Sequence, residues 1–157
     1  MNKKIFNQLN QLGLTIAFAE SMTGGFSAFQ LIKHQGASSV IKGSIIAYSD
    51  HAKIHLLGID PLLIASLSSI SKEVSIEMAK SIKDIMNADI GVGITGNAGP
   101  SLQMGSTEYE AHIAIVFQDQ IIYEHLSLDG LSRIKSIRQT TAHTYTKIDE
   151  LISTISR

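Results

Sequence analysis

Ala19-Glu20-Ser21-Met22-Thr23-Gly24-Gly25 separates two runs of different pattern. Before it, Leu14-Thr15-Ile16-Ala17-Phe18-Ala19 is short and apolar, as a buried strand is. After it, Phe26 to Ile32 spaces its apolar residues as a helix does. A strand, a small polar turn and a helix form the unit from which α/β proteins are assembled. The turn of that unit is where such proteins hold ligands. Two roles are open to Ser21. A nucleophile needs a base and oxyanion donors, and the amides from Met22 to Gly25 could be the donors. Alternatively, Ser21 or Thr23 simply caps the helix, and the local pattern by itself favours that.

Working outward, Ile5, Phe6, Leu9 and Leu12 have helical spacing across Lys3 to Gln11, and Gly13 marks a stop. The second helix is expected to end near His34-Gln35-Gly36, with Ala37-Ser38-Ser39 as a turn. Val40 to Tyr48 is β-rich and reads as a strand. Ser49 or Asp50 can cap a helix from His51 to Leu57 that Gly58 ends. Pro61 suits the first turn of a short helix, Leu62 to Leu67. Ser71-Lys72-Glu73-Val74 opens a longer helix that Asn87 closes. Ile90-Gly91-Val92-Gly93-Ile94 is a third strand, and its alternating glycines let backbone or ligand come close.

A second glycine turn, Thr95-Gly96-Asn97-Ala98-Gly99-Pro100, follows, and Ser101 to Thr107 reads as irregular loop. His112 to Phe117 and Ile121 to Ser127 read as a hairpin, and Leu131 to Ile155 as a final helix, whole or broken. Alternation early and a hairpin late predict an α/β fold with a mixed sheet flanked by helices. The G-x-G-x-x-G dinucleotide fingerprint is absent from the first strand–helix turn. The 157 residues predict a single domain, 1–157.

Composition removes several classes of function. A net charge of −1 offers nucleic acid no electrostatic footprint. The absence of cysteine removes disulfides, thiolate metal sites and cysteine nucleophiles. No run reaches membrane-spanning length and the N-terminal stretch has no signal-peptide core, so a cytoplasmic protein is expected. His34, His51, His55, His112, His125 and His143 are scattered. His51 and His55 stand four apart without a carboxylate motif, so no metal site is predicted.

Further chemistry gathers around the two turns. Lys53 lies one helical turn after Ser49, and a partly desolvated lysine can serve as a base near neutral pH. Tyr48 could orient it or stack on a flat ligand. No His-Asp pair stands at a comparable turn, so a Ser-Lys pair suits this chain better than a triad. If the first and third strands are parallel, both glycine turns emerge at one sheet edge. Thr95 and the glycine amides there could hold a phosphate or carboxylate. Arg133, Lys135 and Arg138 begin the last helix and could bind phosphate; a solvated helical face is the plainer reading. Glu20 could orient Lys53 or be partnered within its own turn.

Five segments stand in a telling order: Glu20-Ser21-Met22-Thr23-Gly24-Gly25, Tyr48-Ser49-Asp50-His51-Ala52-Lys53, Leu57-Gly58-Ile59, Ser71-Lys72-Glu73-Val74, and Ala88 to Pro100. Together they resemble the C-terminal domain of the competence/damage-inducible protein CinA, the nicotinamide mononucleotide deamidase family. The resemblance implies a three-layer α/β/α fold with a mixed sheet. It implies hydrolysis of the nicotinamide carboxamide to nicotinate mononucleotide and ammonia, with no metal or organic cofactor. Ser21 would be the nucleophile, Lys53 its base and Tyr48 an assisting residue. Glu20, Thr23, Gly24, Gly25, Thr95, Gly96, Gly99, Arg133 and Arg138 would form the substrate site, with amides of Thr23-Gly24-Gly25 holding the oxyanion. The partner would be a small nucleotide substrate, without nucleic acid or membrane. Family members self-associate, and an exposed hairpin edge offers a route to a homo-oligomer.

Two stretches depart from the family pattern. Where the family has a glycine pair and then Lys-Pro-Val-Gly, this chain reads Ser101 to Ala111, with Glu108, Tyr109 and Ala111 in place of lysine, proline and glycine. Acidic groups beside a phosphate pocket would repel an anionic substrate. The family's Gly-Asp-Arg becomes Gly130-Leu131-Ser132-Arg133, with Ile137-Arg138 following at altered spacing. Two alternatives therefore accompany the deamidase expectation. One is a diverged nucleotide-binding or regulatory module without deamidase activity; the other is hydrolysis of a different amide.

Overall fold

The computed structural model describes residues 2–102 and 107–155. The predicted loop Ser101 to Thr107 is thus seen at its ends, and 103–106 lie outside the described residues. A five-stranded sheet has the order β2-β1-β3-β4-β5, with β1 Ile16–Glu20, β2 Ile41–Ile46, β3 Ile90–Gly96, β4 Glu110–Phe117 and β5 Gln120–Ser127. β1 is parallel to β2 and β3, while β4 and β5 run antiparallel. The helices are α1 Asn2–Leu12, α2 Phe26–Ile32, α3 Asp50–Leu57, α4 Pro61–Leu67, α5 Lys72–Ile85 and α6 Arg133–Ile155, and Ala37–Ser39 forms a 3-10 turn. This is the expected three-layer α/β/α fold with a mixed sheet.

Alternation along the central strands builds the layers. Ile16, Phe18, Ile90, Val92 and Ile94 pack with α1 and α6 through Ile5, Leu9, Tyr145, Ile148 and Ile152. Ala17 and Ala19 face the opposite way, toward Leu57, Val74, Met78 and Ile82 of α3 and α5. The small residues on that face have a packing cause. A Cβ on Gly91 would stand 2.0 Å from the Ala79 carbonyl oxygen, and one on Gly93 2.1 Å from that of Ser75. Gly91 and Gly93 therefore admit the backbone of α5, not a ligand.

Local rules account for most helix ends. Gly13 and Gly58 adopt positive φ where α1 and α3 stop. Ser49 caps α3, Asp60 caps α4 with Pro61 behind it, and Ser71 caps α5, each side chain accepting a first-turn amide. The second strand is shorter than predicted: β2 ends at Ile46, and Tyr48 lies beyond it. The last helix begins at Arg133, not Leu131, and is continuous to Ile155. No helix among the described residues is long and apolar enough to cross a membrane.

Candidate active site

Because β1 and β3 are parallel, the turns after them leave the sheet at the same edge. α3 begins at that edge too, since β2 pairs parallel with β1 and leads into it. The Ser49 cap and the Gly58 stop fix α3, and Lys53 lies in its middle with the side chain turned inward. The Lys53 Nζ stands 3.3 Å from Ser21 Oγ. Ser21 is 5% exposed and Lys53 2%. Burial holds the Lys53 ammonium below its ordinary value of 10.5, opposed by the nearby charge of Asp50. A lysine whose charged form is disfavoured, in contact with a serine hydroxyl, is the arrangement a Ser-Lys nucleophile requires.

Capping of α2 falls to neither Ser21 nor Thr23. The cap position is Gly25, in the left-handed region at φ 90°, with no side-chain cap bond. Glu20 does the work from behind. Fully buried, its carboxylate accepts the amides of Gly25, Ser27 and Ala28 at 3.1, 3.1 and 2.8 Å. An anion at the positive end of a helix is favoured there. Glu20 is thus committed to its own turn and is not available to substrate. The expected oxyanion donors also need correction. The Gly24 amide donates to Ser21 O and the Gly25 amide to Glu20. The amides of Met22 and Thr23 in this turn donate to no acceptor among the described residues. The buried Thr23 hydroxyl is without a partner.

In the second turn, Thr95 is fully buried and donates its hydroxyl to Ser69 O at 2.7 Å, which ties β3 to the chain before α5. That bond turns it away from the substrate role expected of it. Gly96 has no room for a side chain, since a Cβ would stand 2.4 Å from Glu110 O. Gly99 sits at φ +73° beneath the Tyr109 ring. Its amide donates to Asn97 Oδ1 at 3.0 Å, and its carbonyl accepts from Arg133 at 2.6 Å. Asn97 was not singled out from the sequence. It is 8% exposed, and its Nδ2 has no partner. Only its place between two glycines hinted at a role.

A cavity of about 270 Å³ joins the two turns. Ser21 and Met22 line it from the first, Gly96, Asn97 and Ala98 from the second. Tyr48 and Arg133 form another part of its wall, and Ser101 and Leu102 complete it. Among the described residues its lining contains no carboxylate. A second hollow of about 430 Å³, lined by Tyr109, Leu131 and Ser132, shares Ala98 and Arg133 with the first. Tyr48 is 57% exposed, and its hydroxyl accepts from Arg133; no bond joins it to Ser21 or Lys53. Arg138 lies on an exposed part of α6 and lines neither hollow. Of the divergent stretch, Ser101 and Leu102 reach the cavity wall beside Ser21, while Glu108, Tyr109 and Ala111 are not in that lining. Tyr109 donates its hydroxyl to Pro100 O at 2.7 Å, bracing the second turn.

The histidines fall differently from their sequence spacing. The rings of His51 and His55 lie against each other at 4.1 Å. The cluster of His and carboxylate groups found among the described residues is Glu110, His112 and His125.

A family model for the CinA C-terminal domain matches residues 1–152. A competence-damage inducible protein of Natranaerobius thermophilus is 45% identical over 96 residues, 61% of this chain and 24% of that protein. One from Bacillus cereus is 34% identical over 157 residues, 96% of this chain and 38% of that protein. The chain thus spans about a quarter to two-fifths of the length of these curated relatives. A crystal structure of a CinA superfamily protein from Klebsiella pneumoniae shares the fold with a TM-score of 0.91. It is 24% identical, and the match covers 97% of this chain and 95% of that one.

Proposed function

The chain belongs to the CinA C-terminal domain family, and for it we propose amide hydrolysis of the nicotinamide mononucleotide deamidase type, with Ser21 as nucleophile. The observation that carries this reading is the buried 3.3 Å contact between Lys53 Nζ and Ser21 Oγ. Neutral Lys53 takes the Ser21 proton as Oγ attacks the carboxamide carbon. The oxyanion that forms is met by donors the fold leaves uncommitted, the amides of Met22 and Thr23 and the Nδ2 of Asn97. The Lys53 ammonium then returns its proton to the departing nitrogen, and ammonia leaves. Water, deprotonated by Lys53, attacks the acyl carbon. The C–Oγ bond breaks, the Lys53 ammonium returns its proton to Ser21 Oγ, and the product acid leaves as the carboxylate with its proton released to solvent.

The cavity beside Ser21 suits a flat carboxamide-bearing ring rather than an entire nucleotide, since whole-ligand sites run from roughly 300 Å³ upward. The ribose and phosphate would extend past Arg133 into the adjoining hollow. Arg133 spends part of its fork on Gly99 and Tyr48, and the remaining N–H groups are free to meet a phosphate.

The test is ammonia release from nicotinamide mononucleotide by wild type and by Ser21→Ala. Turnover lost in the variant is expected. No turnover by wild type, or undiminished turnover by the variant, overturns the proposal. A second reading draws on the exposed position of Arg138 and the prior engagement of Arg133: a nucleotide-binding module that does not hydrolyse. Calorimetric binding of nicotinamide mononucleotide by wild type without any ammonia release would favour it.

A further inference from the structure

On the face of the sheet that α5 covers, β4 and β5 bring three ligand-type side chains together. Glu110 and His112 are two residues apart on β4 and so share a face, and His125 pairs directly with His112 across the ladder. Glu110 Oε2 lies 3.0 Å from His112 Nε2 and 2.9 Å from His125 Nε2. The three ligand atoms all lie within 4.8 Å of one another. None of the three residues lines the Ser21 cavity. We propose that Glu110, His112 and His125 form a binding site for a divalent transition metal of the zinc class.

The donor set selects the metal. Two imidazoles and one carboxylate suit zinc, cobalt, nickel or copper, whereas magnesium and calcium take oxygen ligands. Zinc bonds to these atoms run about 2.0–2.2 Å, and three such ligands leave a fourth position for water. At tetrahedral angles those bonds separate the ligand atoms by about 3.4 Å. Two of the present separations are shorter by a few tenths of an ångström, and the His125 side chain, 40% exposed, has room to swing outward.

The surroundings complete the pattern. His112 is 9% exposed, and its Nδ1 lies 2.8 Å from the Tyr123 hydroxyl. Metal-bound histidines orient themselves through a partner of this kind on the second nitrogen. Without metal, His112 donates from Nε2 to Glu110 and accepts from Tyr123. With metal, its proton sits on Nδ1, which donates to Tyr123 Oη and leaves the Nε2 lone pair for the ion. No proton need leave the site for that exchange. From α5, Glu73 adds negative charge near His112 and Tyr123, and the Lys72 ammonium lies over the Tyr123 ring at 5.1 Å. The site also reaches the catalytic edge through the backbone, since Glu110 O accepts the Asn97 amide at 2.8 Å. A bound ion would brace the strand end that holds the second turn.

The test uses chelator-stripped full chain titrated with zinc by calorimetry and with cobalt by visible absorption. One equivalent per chain is expected, with the cobalt spectrum of a low-coordinate nitrogen and oxygen site. His125→Ala, on an exposed edge-strand position, is expected to keep the fold by circular dichroism and to weaken binding by about 100-fold or more. Glu110→Gln is expected to weaken it similarly. His51→Ala removes half of the other histidine pair and is expected to leave affinity unchanged. Absence of binding by wild type, equal binding by His125→Ala, or a loss that follows His51→Ala instead would each overturn the proposal. None of these readouts depends on amide hydrolysis, so the site and the deamidase reading stand or fall separately.

Discussion

The turn after β1 and the turn after β3 contain the same kinds of residue at the same sheet edge, yet they leave different atoms without a partner. In the first, Glu20 gathers three amides and the Gly24 amide closes on Ser21 O, so the glycines and the acid are spent on shape. Among the described residues, the hydrogen-bond partner of Ser21 Oγ is the Lys53 amine. In the second, Thr95 goes to Ser69, the Gly99 amide to Asn97 and the Gly99 carbonyl to Arg133. Asn97 Nδ2 remains. A buried polar group without a partner costs free energy, and function is a common reason for bearing that cost. Under the proposed hydrolysis, the contrast places the attacking atom and two amide donors in the first turn and a side-chain donor in the second.

The strongest way to break that contrast is Lys53→Met. Turnover is expected to fall by about 10³- to 10⁴-fold, because the serine loses its base. Stability is expected to move the other way. The folded pKa of Lys53 lies below its unfolded value of 10.5, so between the two the unfolded chain binds more protons. Wild-type stability therefore rises with pH across that window, and below it the fold bears a penalty for a buried ammonium. Methionine removes the penalty, so the variant should melt higher near neutral pH, and the gap should close as pH approaches 10.5. Thermal melts at the two pH values check this. A lower melting point for the variant near neutral pH would show that Lys53 stabilises the first turn rather than straining it.

Asn97→Asp tests the other turn. Its carboxylate can still accept the Gly99 amide, but an acceptor replaces the unpartnered Nδ2 donor that the proposed mechanism uses. Turnover is expected to drop by about 10²-fold with an unchanged melting temperature. Full activity would reduce Asn97 to a structural residue and leave the first turn to supply every donor.

How much of this was legible from sequence differs between the same two regions. Strand, turn and helix around Ser21 follow from local period and small residues, and the Lys53 contact follows from the family order of motifs. The layered fold was legible because alternation on β1 and β3 is strong, with Phe18 and Ile94 on one face and Ala17 and Gly93 on the other. Hydrogen-bond allocation was not legible. The residue types left Glu20 between orienting Lys53 and a partner in its own turn, and offered Ser21 or Thr23 as the cap; nothing in them says that Thr95 would turn back to Ser69. Those choices depend on distances between segments far apart in the chain. For the same reason Asn97 was missed, and so was the Glu110, His112 and His125 cluster, which only the hairpin register assembles.

Glu20→Gln sharpens the structural half of the comparison. The amide keeps one acceptor oxygen where the carboxylate has two, and it brings a donor among amide donors. A loss of about 1–3 kcal/mol of stability is expected, read from denaturant unfolding. Turnover per folded molecule should change little, because Glu20 touches the turn and not the substrate cavity. A large loss of turnover at unchanged stability would instead draw Glu20 into the chemistry beside Lys53.

The smallest expected effect belongs to the wall between the turns. Tyr48 accepts a hydrogen bond from Arg133, while Arg133 also holds Gly99 O of the second turn. With Tyr48 57% exposed, water competes for the same donor. Tyr48→Phe therefore removes a bond with a net value of about 0.5–1 kcal/mol, equivalent to about a 2- to 5-fold rise in KM. The rate at saturating substrate should hold, since the Ser21 hydroxyl is bonded to Lys53 and the Tyr48 hydroxyl to Arg133. Arg133 stays anchored by Gly99, so the turn keeps its shape. If kcat instead fell by orders of magnitude with KM unchanged, the Tyr48 hydroxyl would be moving a proton in the reaction. The two turns would then share their chemistry with a third element, the segment between β2 and α3.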